Sequence, residues 1–563
     1  MPQHLKATRW KSQSVTGILI LVTAALTITP ILFLVYGSLS LASPWEPFQF
    51  SVSNYVEAFT SADTIPLTVN TLIYALFTAT LSVTMATVLA LIVTRTDTPW
   101  RGFLLVMPLM NVITPALVTN VGWVYLFSPR TGLVNTFFMN LGFPGPVLNI
   151  YSLGGMVWAT GTHMVPISFL IIAAAMRNMD KALEEASRIS GGGIRSTFRR
   201  ITLPLSMPAI LSAWLLAFVT TIEVFETPAM IGARAGIYVY MSEIYRAIQW
   251  DVPPNFGLAT SRAVLILAIT MVLVYVYRLS IRRRERYQVI TGKGYRPEVV
   301  RLGRWKWATL GIALSFFVLV QLMPFLVVVA NSFQPFWDPN DMVSRITFEN
   351  YAYLTTLREL PPAFLNSIIC SVVAASLVGA LAAFIAFISL RTAGRGRGLL
   401  DGVAMLPISF PGLVLGVGLF WTFVLFPSFI YGTIIVLILA YTIRFMPHSI
   451  RTVSGQLLQI SKELEEASKI SGASRFHMLR TVTFPLLKPA LASAWVYTFI
   501  VSFRELSSSV LLVTQNNRVV APMLFELWIH NQQQVLSAVI VIMVGILWTI
   551  VFISHRFFNI RIR

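Results

Sequence analysis

The chain has 563 residues, 56% hydrophobic and 12% charged, with a mean hydropathy of +0.73. Soluble domains carry roughly 25% charged residues, so a water-soluble globule is excluded and a bilayer is the implied solvent. The net charge of +19 sits in alternate loops: Arg278–Lys306 holds ten Lys or Arg, whereas Gly37–Val69 holds none and carries Glu46, Glu57 and Asp63. This is the positive-inside bias that orients membrane helices, and it excludes a nucleic-acid partner as the reason for the charge.

At the amino terminus, Lys6, Arg9 and Lys11 precede an apolar run over 15–36. The layout is that of a signal peptide, but the run exceeds the usual core of about 7–15 residues, so it reads as a retained first helix. Five more apolar stretches follow, over 70–94, 103–127, 151–172, 208–229 and 259–280. A basic linker over 282–306 leads to six others, over 307–330, 366–390, 399–426, 429–450, 489–513 and 534–556. A hydrocarbon core takes about 20 apolar residues per helix, and only a helix closes its backbone hydrogen bonds within one span. The fold class expected is therefore all-α integral membrane, with twelve transmembrane helices and both termini in the cytoplasm. Cys370, the single cysteine, lies in an apolar run and forms neither a disulfide nor a Cys-based metal site.

The chain repeats itself. Asn70, Arg95 and Thr96 recur 296 residues later as Asn366, Arg391 and Thr392. Farther on the offset is 281: Pro166, Glu185, Gly191, Pro204 and Pro208 recur as Pro447, Glu466, Gly472, Pro485 and Pro489. Between 184–214 and 465–495, sixteen of 31 positions are identical without a gap. Two tandem six-helix halves, 1–290 and 291–563, follow. Each has an even number of helices, so the copies share one orientation and are related by an axis along the membrane normal.

The best-matched part of the repeat is a loop, EEASRISGGGIRSTFRRITLPLSMPA at 184–209 and EEASKISGASRFHMLRTVTFPLLKPA at 465–490. Each copy reads as a short helix, a glycine break, a second short helix, and Pro-x-x-x-Pro entering a span. Gly191 and Gly472 suit a turn with positive φ. Pro208 and Pro489 suit the first turn of spans five and eleven, where a missing N–H costs nothing. A patterned loop in two copies at one membrane surface suits docking to a two-fold partner.

Glu-Ala-Ser-x-x-x-Gly followed twelve residues on by Pro-x-x-x-Pro resembles the EAA loop of bacterial ATP-binding cassette (ABC) importer permeases of type I. Ser187 and Ser468 stand where that family has a second Ala. The resemblance covers essentially the whole chain, and the fused twelve-helix form is most similar to ferric iron-type permeases, with thiamine and aminoethylphosphonate permeases as near relatives. It implies that Glu185, Ala186, Gly191 and Pro204, with Glu466, Ala467, Gly472 and Pro485, couple to a homodimer of ABC ATPase subunits. It also implies a periplasmic substrate-binding protein and a bacterial inner-membrane location. No Gly-x-x-x-x-Gly-Lys-[Ser/Thr] phosphate loop occurs, so ATP and Mg belong to the partner ATPase. The chain is a transport subunit with no bound cofactor, no catalytic residues and no metal site.

Ionisable groups at membrane depth are functional candidates by default. Glu223 and Glu226 share a face near the outer end of span five, and Arg504 and Glu505 lie at the corresponding level of span eleven. His163 and Arg444 occupy matching positions, each three residues before a repeated proline. Offset 281 sets Glu223 opposite Arg504, so a Glu223–Arg504 gate is expected, or else passing oxygen ligands for a hard cation. All of these groups also fit plainer roles: interface charges meeting water, a snorkelling Arg444, a packing His163. An ion-gradient-driven secondary transporter is the rival class. It shares the duplication but has no use for paired docking loops.

Overall fold

The computed structural model describes residues 3–179, 182–282, 300–392, 396–426 and 428–558. The expected boundary between halves at 290/291, and most of the basic linker, lie outside them. Ten unbroken helices match ten of the twelve expected spans: Ser14–Ser38, Thr64–Arg95, Leu153–Arg177, Phe198–Ile222, Phe256–Leu279, Gly303–Ser332, Leu360–Arg391, Ile434–Gln459, Leu479–Phe503 and Gln533–Ser554. Among the described residues, β-structure is confined to two isolated bridges.

Spans three and nine differ from the expected single helices. Each is a broken pair, Arg101–Ile113 with Ala116–Phe127 bent by 97°, and Arg397–Ser409 with Gly412–Leu425 bent by 108°. Pro115 and Pro411 stand at the breaks with extended ψ of 146° and 138°. Proline removes a donor and pushes the residue before it out of the helical region; Thr114 accordingly has ψ 124°.

Spans five and eleven are shifted relative to 208–229 and 489–513. Each opens earlier, on a π-helical turn (Phe198–Thr202, Leu479–Thr483), and stops at Ile222 or Phe503. Pro204 and Pro485 therefore hold the first-turn position expected of Pro208 and Pro489, which lie inside the helix. The stretches after Ile222 and Phe503 leave the helix and return through short helices, Tyr240–Gln249 and Val520–Ile529.

The halves are not packed as separate bundles. Span one lies against the second piece of span nine, and span seven against the second piece of span three. The approach is close: a Cβ on Gly418 would strike the Pro30 backbone, and one on Gly122 that of Pro324. Small residues that admit a neighbouring backbone are the usual membrane contact.

Span two of each half, Thr64–Arg95 and Leu360–Arg391, is a strut pinned at both ends. At one end the Asn70 amide donates to the Tyr238 carbonyl (3.2 Å) and Asn366 to that of Arg518 (2.9 Å). At the other end stand Arg95 and Arg391. The repeated Asn and Arg of the sequence thus tie each strut to the loops that flank span five or eleven.

Candidate functional sites: paired loops and a cavity between the halves

At the arginine end, each loop is a short helix (Ala182–Ile189, Lys462–Ile470), a turn, a second short helix (Ile194–Thr197, Arg475–Met478) and the π turn. Gly191 and Gly472 have φ of +82° and +83°, which lets the Gly192 and Ala473 amides fold back onto the Ser187 (2.8 Å) and Ser468 (3.1 Å) carbonyls. This left-handed turn closes the helix end.

The loops are held by buried ion pairs that the sequence reading did not assign. The Arg95 guanidinium lies 3.5 Å from Glu184 and also donates to the Met176 carbonyl (2.6 Å), while the Thr202 hydroxyl donates to Glu184 (2.7 Å). In the second half Arg391 lies 3.1 Å from Glu465 and donates to the Leu457 and Ile460 carbonyls, and Thr483 lies 3.5 Å from Glu465. All four side chains are buried. The first acid of each Glu-Glu doublet is thus the anchor. Of the second, Glu466 is exposed, and the Glu185 side chain lies outside the described atoms. Ala186 and Ala467 are also exposed, and Ile189 and Ile470 are each 88% exposed. Each loop therefore presents an apolar tip on a firmly tied base.

All six ionisable candidates line one cavity of about 350 Å³ between the halves. Thr160, His163, Glu223 and Glu226 come from the first half, and Arg444, Tyr497, Arg504, Glu505 and Ser507 from the second. Both halves of broken span three reach it through Asn111 and Ala116. Its lining is fixed by specific bonds. Arg444 pairs with Glu505 at 2.6 Å, and the same carboxylate oxygen accepts from the Ser508 amide (2.9 Å) and hydroxyl (3.1 Å). Gly412, just after the break in span nine, leaves the space that the Arg444 guanidinium fills.

The expected Glu223–Arg504 pair does not form: among the described residues, no carboxylate lies within 4 Å of Arg504, nor any cation within 4 Å of Glu223. Arg504 instead donates to the Thr114 carbonyl (2.9 Å), one of the backbone acceptors freed by the break in span three. The contact across the halves on the carboxylate side is Ser507 donating to Glu226 (3.0 Å). Glu223, Glu226 and Arg504 follow the last helical turn of their spans, so loop geometry rather than repeat register sets their partners. Among the described residues no group of three His, Cys, Asp or Glu could hold a metal ion.

A second network lies in the first half. Glu243 on the short helix Tyr240–Gln249 binds buried Arg262 (2.8 Å) and Arg246 (2.7 Å). Its hydrogen bonds hold the Arg246 guanidinium above its ordinary pKa.

The family model for the binding-protein-dependent transport system inner membrane component matches this chain twice, over residues 68–286 and 375–563. A Haemophilus influenzae protein provisionally named as a ferric transport system permease is 28% identical over 494 residues, 86% of this chain and 77% of that protein. The ferric transport system permease protein of Actinobacillus pleuropneumoniae is 29% identical over 415 residues, 73% of this chain and 59% of that protein. A Haemophilus influenzae Fe(3+)-transport system permease is 24% identical over 375 residues, covering 65% and 68%. The two matched stretches are the two halves that carry the tied loops and enclose the cavity, and the chain belongs to this family of inner-membrane components of binding-protein-dependent transport systems, as a fused ABC importer permease.

Proposed function

We propose that this chain is the pathway-forming permease of an ATP-driven importer that carries ferric iron across a bacterial inner membrane. One observation carries the reading: two matched loops at one membrane surface, each tied by a buried ion pair and each offering an exposed isoleucine. Such a surface fits two copies of one ATPase subunit, which would supply ATP and Mg. Glu185, Ala186, Gly191 and Pro204 in one loop, and Glu466, Ala467, Gly472 and Pro485 in the other, form the contact. A periplasmic binding protein delivers the cargo at the opposite end. Iron is favoured by the names of the relatives; thiamine and aminoethylphosphonate are the alternatives within the same class. The loops and both termini face the cytoplasm, in keeping with the basic residues there. The six ionisable groups of the cavity wall line the pathway, and the 504–508 segment closes it against the first half.

The test is ATP-dependent 55Fe uptake by the chain reconstituted with its ATPase and binding protein. Ile189→Asp with Ile470→Asp should abolish both uptake and co-purification of the ATPase while leaving the permease in the membrane. Uptake driven by an ion gradient without ATP would favour the secondary-transporter class instead. For orientation, cysteines placed at 60 and 340 should label from outside and one at 290 from inside; native Cys370 is buried and gives little background.

A further inference from the structure

We infer that the cavity is built for a dipolar cargo, a cationic centre travelling with its own oxyanion, rather than for a bare cation. The inference rests on the importer reading above. Its warrant is an imbalance in the cavity wall. Arg444 and Glu505 satisfy each other at 2.6 Å. Arg504 and Glu223 face the same 350 Å³ space with no ionic partner within 4 Å among the described residues. Glu226 accepts from the Ser507 hydroxyl, with no cation within 4 Å of it among the described residues. The wall thus presents, from the second half, a guanidinium held by the Thr114 carbonyl and, from the first, two carboxylates, none of the three with a salt-bridge partner within 4 Å among the described residues.

A bare trivalent ion suits this wall poorly. At ordinary ionisation three carboxylates oppose two guanidinium groups, a single negative charge in excess, and the cost of holding an ion at membrane depth grows steeply with its uncompensated charge. A cargo with its own oxyanion removes that difficulty. The anion meets Arg504, whose planar fork matches an oxyanion, and the cation meets Glu223 and Glu226, hard oxygen donors. The volume is that of about twelve waters at ~30 Å³ each. It therefore admits a metal ion with one or two small oxyanions, or a small zwitterion.

The experiment uses the complete importer in proteoliposomes, with 55Fe supplied together with 33P-phosphate or 14C-citrate. One anion should enter with iron in fixed ratio. Arg504→Gln should raise the KM for iron roughly tenfold to a hundredfold, the loss of one charged hydrogen-bonded contact. Arg504→Lys, which keeps the charge but not the fork, should fall between the wild type and Arg504→Gln, with ATPase co-elution unchanged in both. If Arg504→Gln fails to assemble, Glu223→Gln gives the same reading. Iron entering without either anion, at a KM that these substitutions leave alone, overturns the inference. If the wild type moves 2-aminoethylphosphonate but not iron, with the same dependence on Arg504, the iron assignment falls and the dipolar cargo stands. A wild-type complex that moves neither overturns both.

Discussion

The loop ends of the two halves and the cavity walls between them stand on the same repeat and have diverged to opposite degrees. At the loops, Arg95–Glu184 and Arg391–Glu465 are copies of one buried pair, and Gly191 and Gly472 share φ to within a degree. In the cavity, the offset that equates the loops sets His163 against Arg444, Glu223 against Arg504, and Glu226 against Ser507. No ionisable group meets its like. In the proposed docking, a surface that receives two identical ATPase subunits keeps its two-fold symmetry. A pathway for one solute has no such constraint, and the two walls are free to carry unlike charges.

The sharpest way to break the symmetric part is to strand one buried charge. Arg391→Ala leaves Glu465 without its cation, a loss of about 3–5 kcal/mol for a buried pair. Thermal melting of the purified protein should fall by several degrees, and Arg95→Ala should match it. The double change Arg391→Met with Glu465→Leu should restore most of that stability, since apolar replacement of a buried pair is often neutral. Recovery by only one of the halves would show that the loops are not equivalent.

On the asymmetric side, Gly412→Ala should expel the Arg444 guanidinium from its niche and cost about 1–3 kcal/mol through overpacking. It should also change basal ATPase activity in the complex, because Glu505 is left in the cavity wall. The first half already carries alanine at the matching place, Ala116 after Pro115, where His163 stands in the Arg444 slot. An unaltered melting point and basal rate after Gly412→Ala would show that the pair is not part of the closed wall.

Gly191→Val and Gly472→Val probe the loop turn itself. A Cβ at either position meets open space, so only the left-handed backbone is penalised, by about 1–2 kcal/mol. Both should weaken ATPase association equally and leave membrane insertion intact. The smallest effect on stability is expected for Ile189→Ser or Ile470→Ser, within about 0.5 kcal/mol for exposed sites, yet each should reduce ATPase co-purification. A pair of tips with unequal effects would reveal that the partner reads the halves differently.

Much of the fold was legible beforehand. Twelve apolar runs reappear as ten unbroken spans and two broken ones, because backbone satisfaction in hydrocarbon leaves a helix as the way across. The breaks at Pro115 and Pro411 carried a signal, a proline inside each run, that a hydropathy reading passes over. The starts of spans five and eleven were misplaced because Pro204 and Pro208 both suit a first turn, and only the π turn before Leu203 selects between them. Asn54 and Asn350 were also missed. Each is buried and donates to two backbone carbonyls, Ser38 and Ser40 or Ser332 and Gln334, a further repeat at offset 296 visible as a recurring Asn-Tyr.

What the sequence determined by itself is what depends on local pattern: the membrane as solvent, the duplication, the position of the paired loops and the set of charges available to a pathway. Hydropathy and short-range spacing are properties of a chain segment and survive being read one residue at a time. What only the tertiary structure decided is which charge meets which. Arg444 and Glu505 lie 61 residues apart and Arg95 and Glu184 89, and Arg504 finds a carbonyl 390 residues away. Coulombic and hydrogen-bond energies depend on separations of a few ångströms, and those are set by how spans cross, where they break and how the loops after them turn.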